Sequence, residues 1–499
     1  MQGELSWLVG ELRALAGDLD AESERPALVL AIDQGGHASR VIAFDVHGKQ
    51  YAESFAPIST FRAAGDRVEH DASEIVESIR TALADVAQAL GEDVHRVVAA
   101  GLATQRSSIV CWDSRTGKPL SPVLSWQDRR TAKFVESLRA YEPLVRHTTG
   151  LVLSPHYGAS KLKWCLENLE KVATANSNLR LSAGPLASFL LFSLLSERPR
   201  LIDPANASRT LLWDVRTGTW SAELAKLFEI PVEVLPRCVP SRYSYGHLQF
   251  GPQSIPVIVC TGDQSAMPFA VGTMDAGAVH LNVGTGAFLQ RITRDHSVIE
   301  DRLLRSVIWS DDQGQLQVQE GTVNAAAAAL DWLNQRVGID THRAALAISR
   351  DTALEHAPIF INGLSGVGSP FWLPQVESRF IGEGDENALV QAVVESIAFL
   401  ISTNVEAMRA TQPIDKVIAS GGLSRSDYLC DCVAALTNLS VDRLTLREAT
   451  ATGLAYLVLG MPTTWSSGAE AKRFDPRELP NLSQRFRQWQ QEMSQLAEH

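Results

Sequence analysis

Two aspartates and three glycine-rich turns hold most of the chemistry this sequence offers. Asp33 closes a short apolar run and is followed by Gln34-Gly35-Gly36. Glycine lacks a Cβ, so backbone N–H groups can close on an anion. An aspartate at the end of such a run can hold a metal ion, directly or through water. Arg40, just past the turn, offers a guanidinium fork to a phosphate. Gly284-Thr285-Gly286 repeats the device in the second half, with the Thr285 hydroxyl available to a phosphate oxygen. Gly421-Gly422-Leu423-Ser424-Arg425-Ser426 is a third such loop, at a strand-to-helix junction where helix N-terminal amides point at anions. One such turn alone is commonly a plain hairpin. Three at strand ends, spread over both halves, point to a nucleotide held between two domains.

Asp263, in Gly262-Asp263-Gln264, ends a strand-like run. A carboxylate there can take the proton from a hydroxyl as it attacks a γ-phosphate; the competing role is a helix N-cap. Arg106 and Trp126 follow other strand-like runs. Arg106 can bind substrate oxygens, and Trp126 is either a flat wall for the C–H face of a polyol or a core residue. Asn206-Ala207-Ser208-Arg209 reads as a structural turn with no chemistry. The sequence has no Gly-x-x-x-x-Gly-Lys-Ser/Thr, which argues against a P-loop enzyme. No Gly-x-Gly-x-x-Gly opens a first βα turn, so dinucleotide binding is unsupported.

The elements that must position these residues are legible as patterns. Ala27–Asp33, Arg40–Val46 and Lys49–Phe55 form an antiparallel meander. Asp71-Ala72-Ser73-Glu74 has capping-box spacing, and Ile75, Ile79, Leu83, Val86 and Leu90 follow at helical intervals. Val97–Thr104 is the next strand and runs into Gln105-Arg106. The scheme restarts with strands at Val257–Thr261, Gly277–Val283 and Phe288–Ile292, and helices over Val323–Arg336 and Glu386–Arg409. A strand at Val417–Ala419 and a helix at Glu448–Leu459 complete it. Two α/β domains of related architecture follow. The expected boundaries are an amphipathic N-terminal extension over 1–26, a first α/β domain over 27–271, a second over 272–463, and a tail over 464–499.

Composition narrows the function. The chain has 499 residues, of which 45% are hydrophobic and 20% charged, which is globular rather than disordered. The net charge of −12 opposes nucleic-acid binding and an anionic membrane surface. The apolar run Pro185–Leu195 is short of the roughly 20 residues of a membrane span, so a buried helix is expected there. Six scattered cysteines form neither a disulfide framework nor a zinc site. The first residues lack the features of a signal or transit peptide. A soluble, cytoplasmic protein is the expectation.

Taken in order, the segments resemble the FGGY carbohydrate kinases, with the glycerol kinases as the nearest branch. They are Ala31-Ile32-Asp33-Gln34-Gly35, Thr104-Gln105-Arg106, Ser125-Trp126-Gln127-Asp128-Arg129-Arg130-Thr131, Lys161-Leu162-Lys163-Trp164 and Asn206-Ala207-Ser208-Arg209. In the second half they are Gly262-Asp263-Gln264, Gly284-Thr285-Gly286-Ala287-Phe288, Glu320-Gly321-Thr322, Leu364–Trp372, Glu395-Ser396-Ile397-Ala398 and Gly421-Gly422. The resemblance implies an α/β fold of two actin-like domains, of the ribonuclease-H-like or ASKHA type, closing over ATP, Mg²⁺ and a small sugar or polyol. It implies Asp263 as general base and Asp33 and Asp263 on the metal side. Gln34, Gly35, Arg40, Gly284, Thr285, Gly421, Gly422 and Ser426 match the ATP side. Gln105, Arg106, Trp126, His156, Gln264 and Phe288 match the substrate side. A homodimer or larger homo-oligomer is also implied.

The departures are informative. In glycerol kinases a glutamate follows the matching arginine and accepts hydrogen bonds from glycerol; here it is Ser107. The glycerol-contacting tyrosine aligns with His156, or with Tyr157 after a one-residue shift. Two threonines normally follow the first turn's glycine; here they are Gly36 and His37. A substrate other than glycerol is therefore expected: a larger sugar, polyol or sugar acid. The competing reading is a catalytically silent sugar- or nucleotide-binding relative with a regulatory role. Gly36 and His37 speak for it, and the retained Asp33, Asp263, Thr285 and Gly421-Gly422 against it.

Overall fold

The computed structural model describes residues 26–64, 66–293, 302–446, 448–463, 465 and 470–498, so the expected extension over 1–26 lies, save for Pro26, outside the described residues. Two compact units form. The first takes Met1–Met274, Ser306–Gln317 and Arg447–Gly468; the second takes Asp275–Arg305, Val318–Leu446 and Ala469–His499.

In the first unit, β1 (Leu28–Gln34), β2 (Ala38–Asp45) and β3 (Gln50–Pro57) make the expected meander. Helix α1 (Ala72–Leu90) follows, then β4 (Val97–Thr104), β5 (Arg242–Phe250) and β6 (Gln253–Gly262). The sheet order is β5-β6-β4-β1-β2-β3. β1, β4 and β6 are mutually parallel neighbours and carry continuous apolar runs buried on both faces, as the centre of a parallel layer demands. β3, at the edge, leaves alternate residues in water. Helix α1 starts where the spacing predicts: the Asp71 carboxylate accepts from the N–H groups of Ser73 and Glu74 at 2.7 and 3.1 Å. The reciprocal bond of a capping box is not made, because the Glu74 carboxylate accepts instead from the N–H and hydroxyl of Ser59. The run at Pro185 is a buried helix, Leu186–Leu194, as expected.

In the second unit, β7 (Ala278–Val283) and β8 (Ala287–Thr293) form a hairpin. The elements α2 (Glu386–Arg409), β9 (Lys416–Ser420), α3 (Asp427–Thr437) and β10 (Ser440–Thr445) follow. The sheet runs β8-β7-β9-β10 and ends on β11 (Glu470–Phe474). β7, β9 and β10 are parallel, so the design of the first unit recurs. Helix α2 is long and apolar enough to cross a membrane, yet it is almost wholly buried as the central core helix of this unit.

Three expectations need correction. The helix expected over Val323–Arg336 is only Ala327–Asn334, and Val323 ends a strand. The N–H groups of Ala326, Ala327 and Ala328 bond to the carbonyls of Thr285 and Gly284, so a tertiary contact overrides the helical spacing. The segment expected as a tail is built into the second unit: β11 pairs with β10, and helix α4 (Leu482–Glu498) buries Trp489 and Met493. Arg485 of α4 donates twice to the buried Glu395 carboxylate of α2, both bonds at 2.7 Å. Finally, the helix Ala449–Val458 groups with the first unit rather than with the sequence preceding it. Gly453 permits this, because a Cβ there would collide with the Ala266 carbonyl.

Removing the one carboxylate that caps α1 tests whether the helix start is set locally. Asp71→Ala should lower unfolding free energy by about 1 kcal/mol in a denaturant titration with the slope unchanged.

Candidate active site

Strand register assembles the first half of the site. Gln34 pairs with Thr104 across β1 and β4, and Thr104 with Gly262 across β4 and β6. Three parallel strands thus end level, and the residues at their carboxyl ends share one edge: Asp33 and Gln34, Gln105 and Arg106, Asp263 and Gln264. Ligands of open α/β sheets bind at such edges, where the backbone turns away and side chains are free to converge.

Burial raises both Asp33 and Asp263 toward the acid form, and the Asp263 charge adds to the rise at Asp33. Burial pushes the Asp33 carboxyl up to about 7; the Asp263 charge adds to this and Arg40 opposes it. Burial also raises Asp263, while Arg106, the N–H of Gln264 and Arg209 hold it down. Gly262 leaves room for the Arg106 side chain, whose Cγ and Cδ would lie 2.5 Å from a Cβ at that position. Arg40 is paired with Glu448 and lies over the Phe55 ring.

The expected residues divide into two kinds. Trp126, His156, Arg106, Gln264 and Asp263 come together around the first unit's edge. The rings of Trp126 and His156 sit 5.6 Å apart. His156 rather than Tyr157 abuts Trp126; Tyr157 lies behind it, its ring 4.9 Å from the imidazole and beneath the Arg209 guanidinium. Gln34 and Gln105, expected on the ATP and substrate sides, instead brace the turn. The Gln34 amide donates to the Gly35 carbonyl, the Gln105 amide donates to Gln34 Oε1 and the Gly35 carbonyl, and the Gln105 oxygen accepts from Ser108. Both side chains are buried. These bonds converge on the Gly35 carbonyl and hold that residue of the turn in place.

In the second unit, Gly284-Thr285-Gly286 joins β7 to β8, and Gly421-Gly422 leaves β9. Parallel pairing sets Asn282 opposite Ser420, so the two turns adjoin. Gly421 has φ +92° and a Cβ there would strike Asn282 and the Val283 carbonyl; Gly422 has nothing within 4 Å of the same position. Thr285 is exposed, and Phe288 is half-buried beyond it on β8. Ser426, expected to meet ATP, is fully buried: its hydroxyl donates to the Ala345 carbonyl and accepts the Leu429 N–H as the cap of α3.

Three cations escaped the sequence reasoning. Lys161, on the helix Gly158–Asn168, is fully buried, with its ammonium on the carbonyls of Ser125 and His156 at 2.7 Å and of Ser107 at 3.4 Å. Burial, then Arg129, hold its pKa well below the ordinary lysine range. Arg209, dismissed as part of a structural turn, acts on both Asp263 and His156. Arg129 donates to the Trp126 carbonyl at 3.1 Å. The one available signal was the placement of Lys161 among apolar neighbours on an otherwise inward-facing helix.

A level parallel-strand edge bearing two carboxylates, and a separate unit bearing paired glycine turns, define a two-domain phosphotransferase of the ASKHA type that acts on an alcohol group. The chain belongs to the FGGY family of carbohydrate kinases: the models of its N-terminal and C-terminal domains match residues 28–270 and 279–459. A glycerol kinase of Shewanella amazonensis is 31% identical over 477 residues, covering 92% of this chain and 96% of that protein. Two solved structures share the fold. The Plasmodium falciparum glycerol kinase with ADP has a TM-score of 0.84 at 21% identity, covering 94% of this chain and 98% of that one. A xylulose kinase from Brucella ovis has a TM-score of 0.83 at 22% identity, covering 94% and 99%.

The Asp33 carboxyl, at about 7 in the folded protein against an ordinary 3.8, makes stability pH-dependent. Between those values the folded state keeps a proton that the unfolded chain has lost, so stability falls as pH rises through the window. Asp33→Asn should therefore gain stability over the parent above pH 7 and lose that advantage below the ordinary value of 3.8. The shift corresponds to about 4 kcal/mol at most, and partial water access reduces the expected gain to about 1–2 kcal/mol. Urea titrations at pH 5 and pH 8 without divalent cations check it; equal differences at both would show that Asp33 titrates normally.

Proposed function

We propose that this kinase transfers the γ-phosphoryl group of ATP to a hydroxyl of a sugar, polyol or sugar acid other than glycerol, with Asp263 as general base. The observation that carries the reading is the Asp33–Asp263 pair at the level carboxyl ends of β1 and β6. As the acceptor oxygen forms its bond to the γ-phosphorus, the bond to the β,γ-bridging oxygen breaks. That electron pair leaves with ADP, and the hydroxyl proton passes to the Asp263 carboxylate. A raised pKa suits the base, because it brings proton affinity closer to neutral pH.

The two carboxylates also fit a Mg²⁺ ion. Hard oxygen donors are what it takes, and both buried carboxylates are held toward the acid form, a cost that a bound cation would relieve. Bound there, the ion would supply neutralisation of phosphate charge. Gly35 and Gly36 keep the backbone open beside it, with no atom closer than 3.6 Å to a Cβ at Gly35 or 3.9 Å at Gly36. The Thr285 hydroxyl and the open backbone at Gly422 are assigned to the nucleotide. Arg106, Trp126 and Gln264 are assigned to the acceptor, where they orient the reacting hydroxyl.

The choice against glycerol rests on Ser107. It stands where the resemblance puts a glutamate that accepts hydrogen bonds from glycerol, so that acceptor is lost here.

Asp263→Asn should lower kcat by about 10²–10⁴-fold in a coupled ADP-release assay while acceptor affinity, read by calorimetry, holds. Retained kcat would remove Asp263 from the base role.

A further inference from the structure

Lys161 is fully buried on the helix Gly158–Asn168, where an uncharged side chain of the same length would pack at lower cost. Its ammonium donates to the carbonyls of Ser125 and His156 at 2.7 Å and, more loosely, to that of Ser107 at 3.4 Å. An ammonium has three N–H donors, and these carbonyls use them all. No donor is left for a ligand, so Lys161 acts on the protein itself.

The three carbonyls come from segments well separated in sequence, and each segment carries part of the acceptor side. Ser107 follows Arg106, Ser125 precedes Trp126, and the third is His156 itself. Ser107 is held at φ +65°, a left-handed backbone that a non-glycine residue keeps only where its surroundings enforce it. The Ser125 carbonyl belongs to the same peptide group as the Trp126 N–H. That N–H donates to the Ser108 hydroxyl at 3.0 Å, so buried side chains grip both polar atoms of one peptide. Arg129 donates to the next carbonyl, that of Trp126, at 3.1 Å. The indole is thereby set between two neighbours. Its ring lies 5.6 Å from the His156 ring, and its Nε1 lies 3.9 Å from the place of a Cβ at Gly36, in the first glycine turn. The Ser108 hydroxyl in turn donates to Gln105, which braces that turn. The wall for the acceptor and the turn for phosphate are thus parts of one hydrogen-bonded frame within the first unit.

We propose that Lys161 is a positioning residue for phosphoryl transfer: its ammonium ties the segments of Ser107, Trp126 and His156 together and so sets where the acceptor lies relative to the phosphate turn. This rests on the kinase reading above and adds the residue that shapes its acceptor side. An apolar side chain at 161 would fill the space but leave three buried carbonyls without this donor, and they would turn toward other donors or water. The wall would lose its place, while the sheet beneath it, whose register is set by apolar burial, would stay.

The test compares Lys161→Met with the parent and with Lys163→Met. Lys163, on the same helix, pairs with Glu167 and Glu229 at 2.7 and 3.0 Å, so its loss costs ion pairs without touching the frame. ADP release is measured with Mg-ATP and glycerol, erythritol, xylitol, sorbitol, xylulose or gluconate. Amide hydrogen exchange is measured by mass spectrometry on the whole protein. For the compound the parent uses best, Lys161→Met should raise the acceptor KM and lower kcat, with kcat/KM down about 100-fold. The KM for Mg-ATP should stay within about twofold. Exchange should quicken in segments 105–108, 125–129 and 154–157 and not in the strands Leu28–Gln34 and Ala38–Asp45. Lys163→Met should shift neither readout. Where Lys161→Met fails to fold by thermal unfolding, Lys161→Gln, which keeps two donors, carries the same measurements with a smaller effect. Unchanged acceptor kinetics in a folded variant would overturn the proposal and leave the kinase reading standing. So would an equal loss on the acceptor and Mg-ATP sides, or the same loss in Lys163→Met. Quickened exchange confined to the three segments, in a protein whose parent releases no ADP with any compound, would uphold the tie and tell against the kinase reading. Unchanged exchange in those segments would overturn the tie whatever the kinetics.

Discussion

Two carboxylates held together at the end of a buried parallel sheet are costly, and much of the first unit exists to bear that cost. Asp33 and Asp263 come from opposite ends of a long segment, yet the pairing of β1 with β4 and β4 with β6 leaves no freedom in where they end. A one-residue slip in either pairing would turn the side chains to the other face of the sheet. The apolar runs buried on both faces of these strands set the register, so hydrophobic burial is what holds like charges near one another. Arg40, Arg106 and Arg209 moderate the repulsion without removing it. The pair is left closer to neutral pH than ordinary carboxylates, which suits proton transfer.

The same logic explains the inward glutamines. A glycine turn cannot supply its own side-chain support. Gln34 and Gln105 furnish it from beneath, and the buried Ser108 hydroxyl completes the chain of bonds. Such a network is favourable only because its amide groups find partners. In the second unit the corresponding support is backbone: the Gly284–Gly286 turn accepts N–H groups from the start of the helix Ala327–Asn334. Each unit thus stiffens its glycine turn with what lies nearest, side chains in one and a helix N-terminus in the other.

The protein as a whole is acidic at −12, while the residues around His156 are a local concentration of positive charge.

Local chemistry sufficed wherever a residue's role depends on its neighbours in sequence. The strands of the first meander, the Asp71 cap and the 24-residue helix Glu386–Arg409 were all legible, because periodicity and capping act over a few residues. So was the placement of Asp33, Asp263 and the glycine turns at strand ends, because the apolar runs stop at Gly-rich breaks. What the sequence could not decide is which way a polar side chain faces and who answers its charge. Gln34 and Gln105 point to the turn rather than to a ligand, Ser426 caps a helix, and Arg129, Arg209 and Lys161 converge on His156 from segments far apart in the chain. Burial and pairing of a charged or amide group are set by residues that meet only when distant strands and helices pack, so only the tertiary structure could assign them.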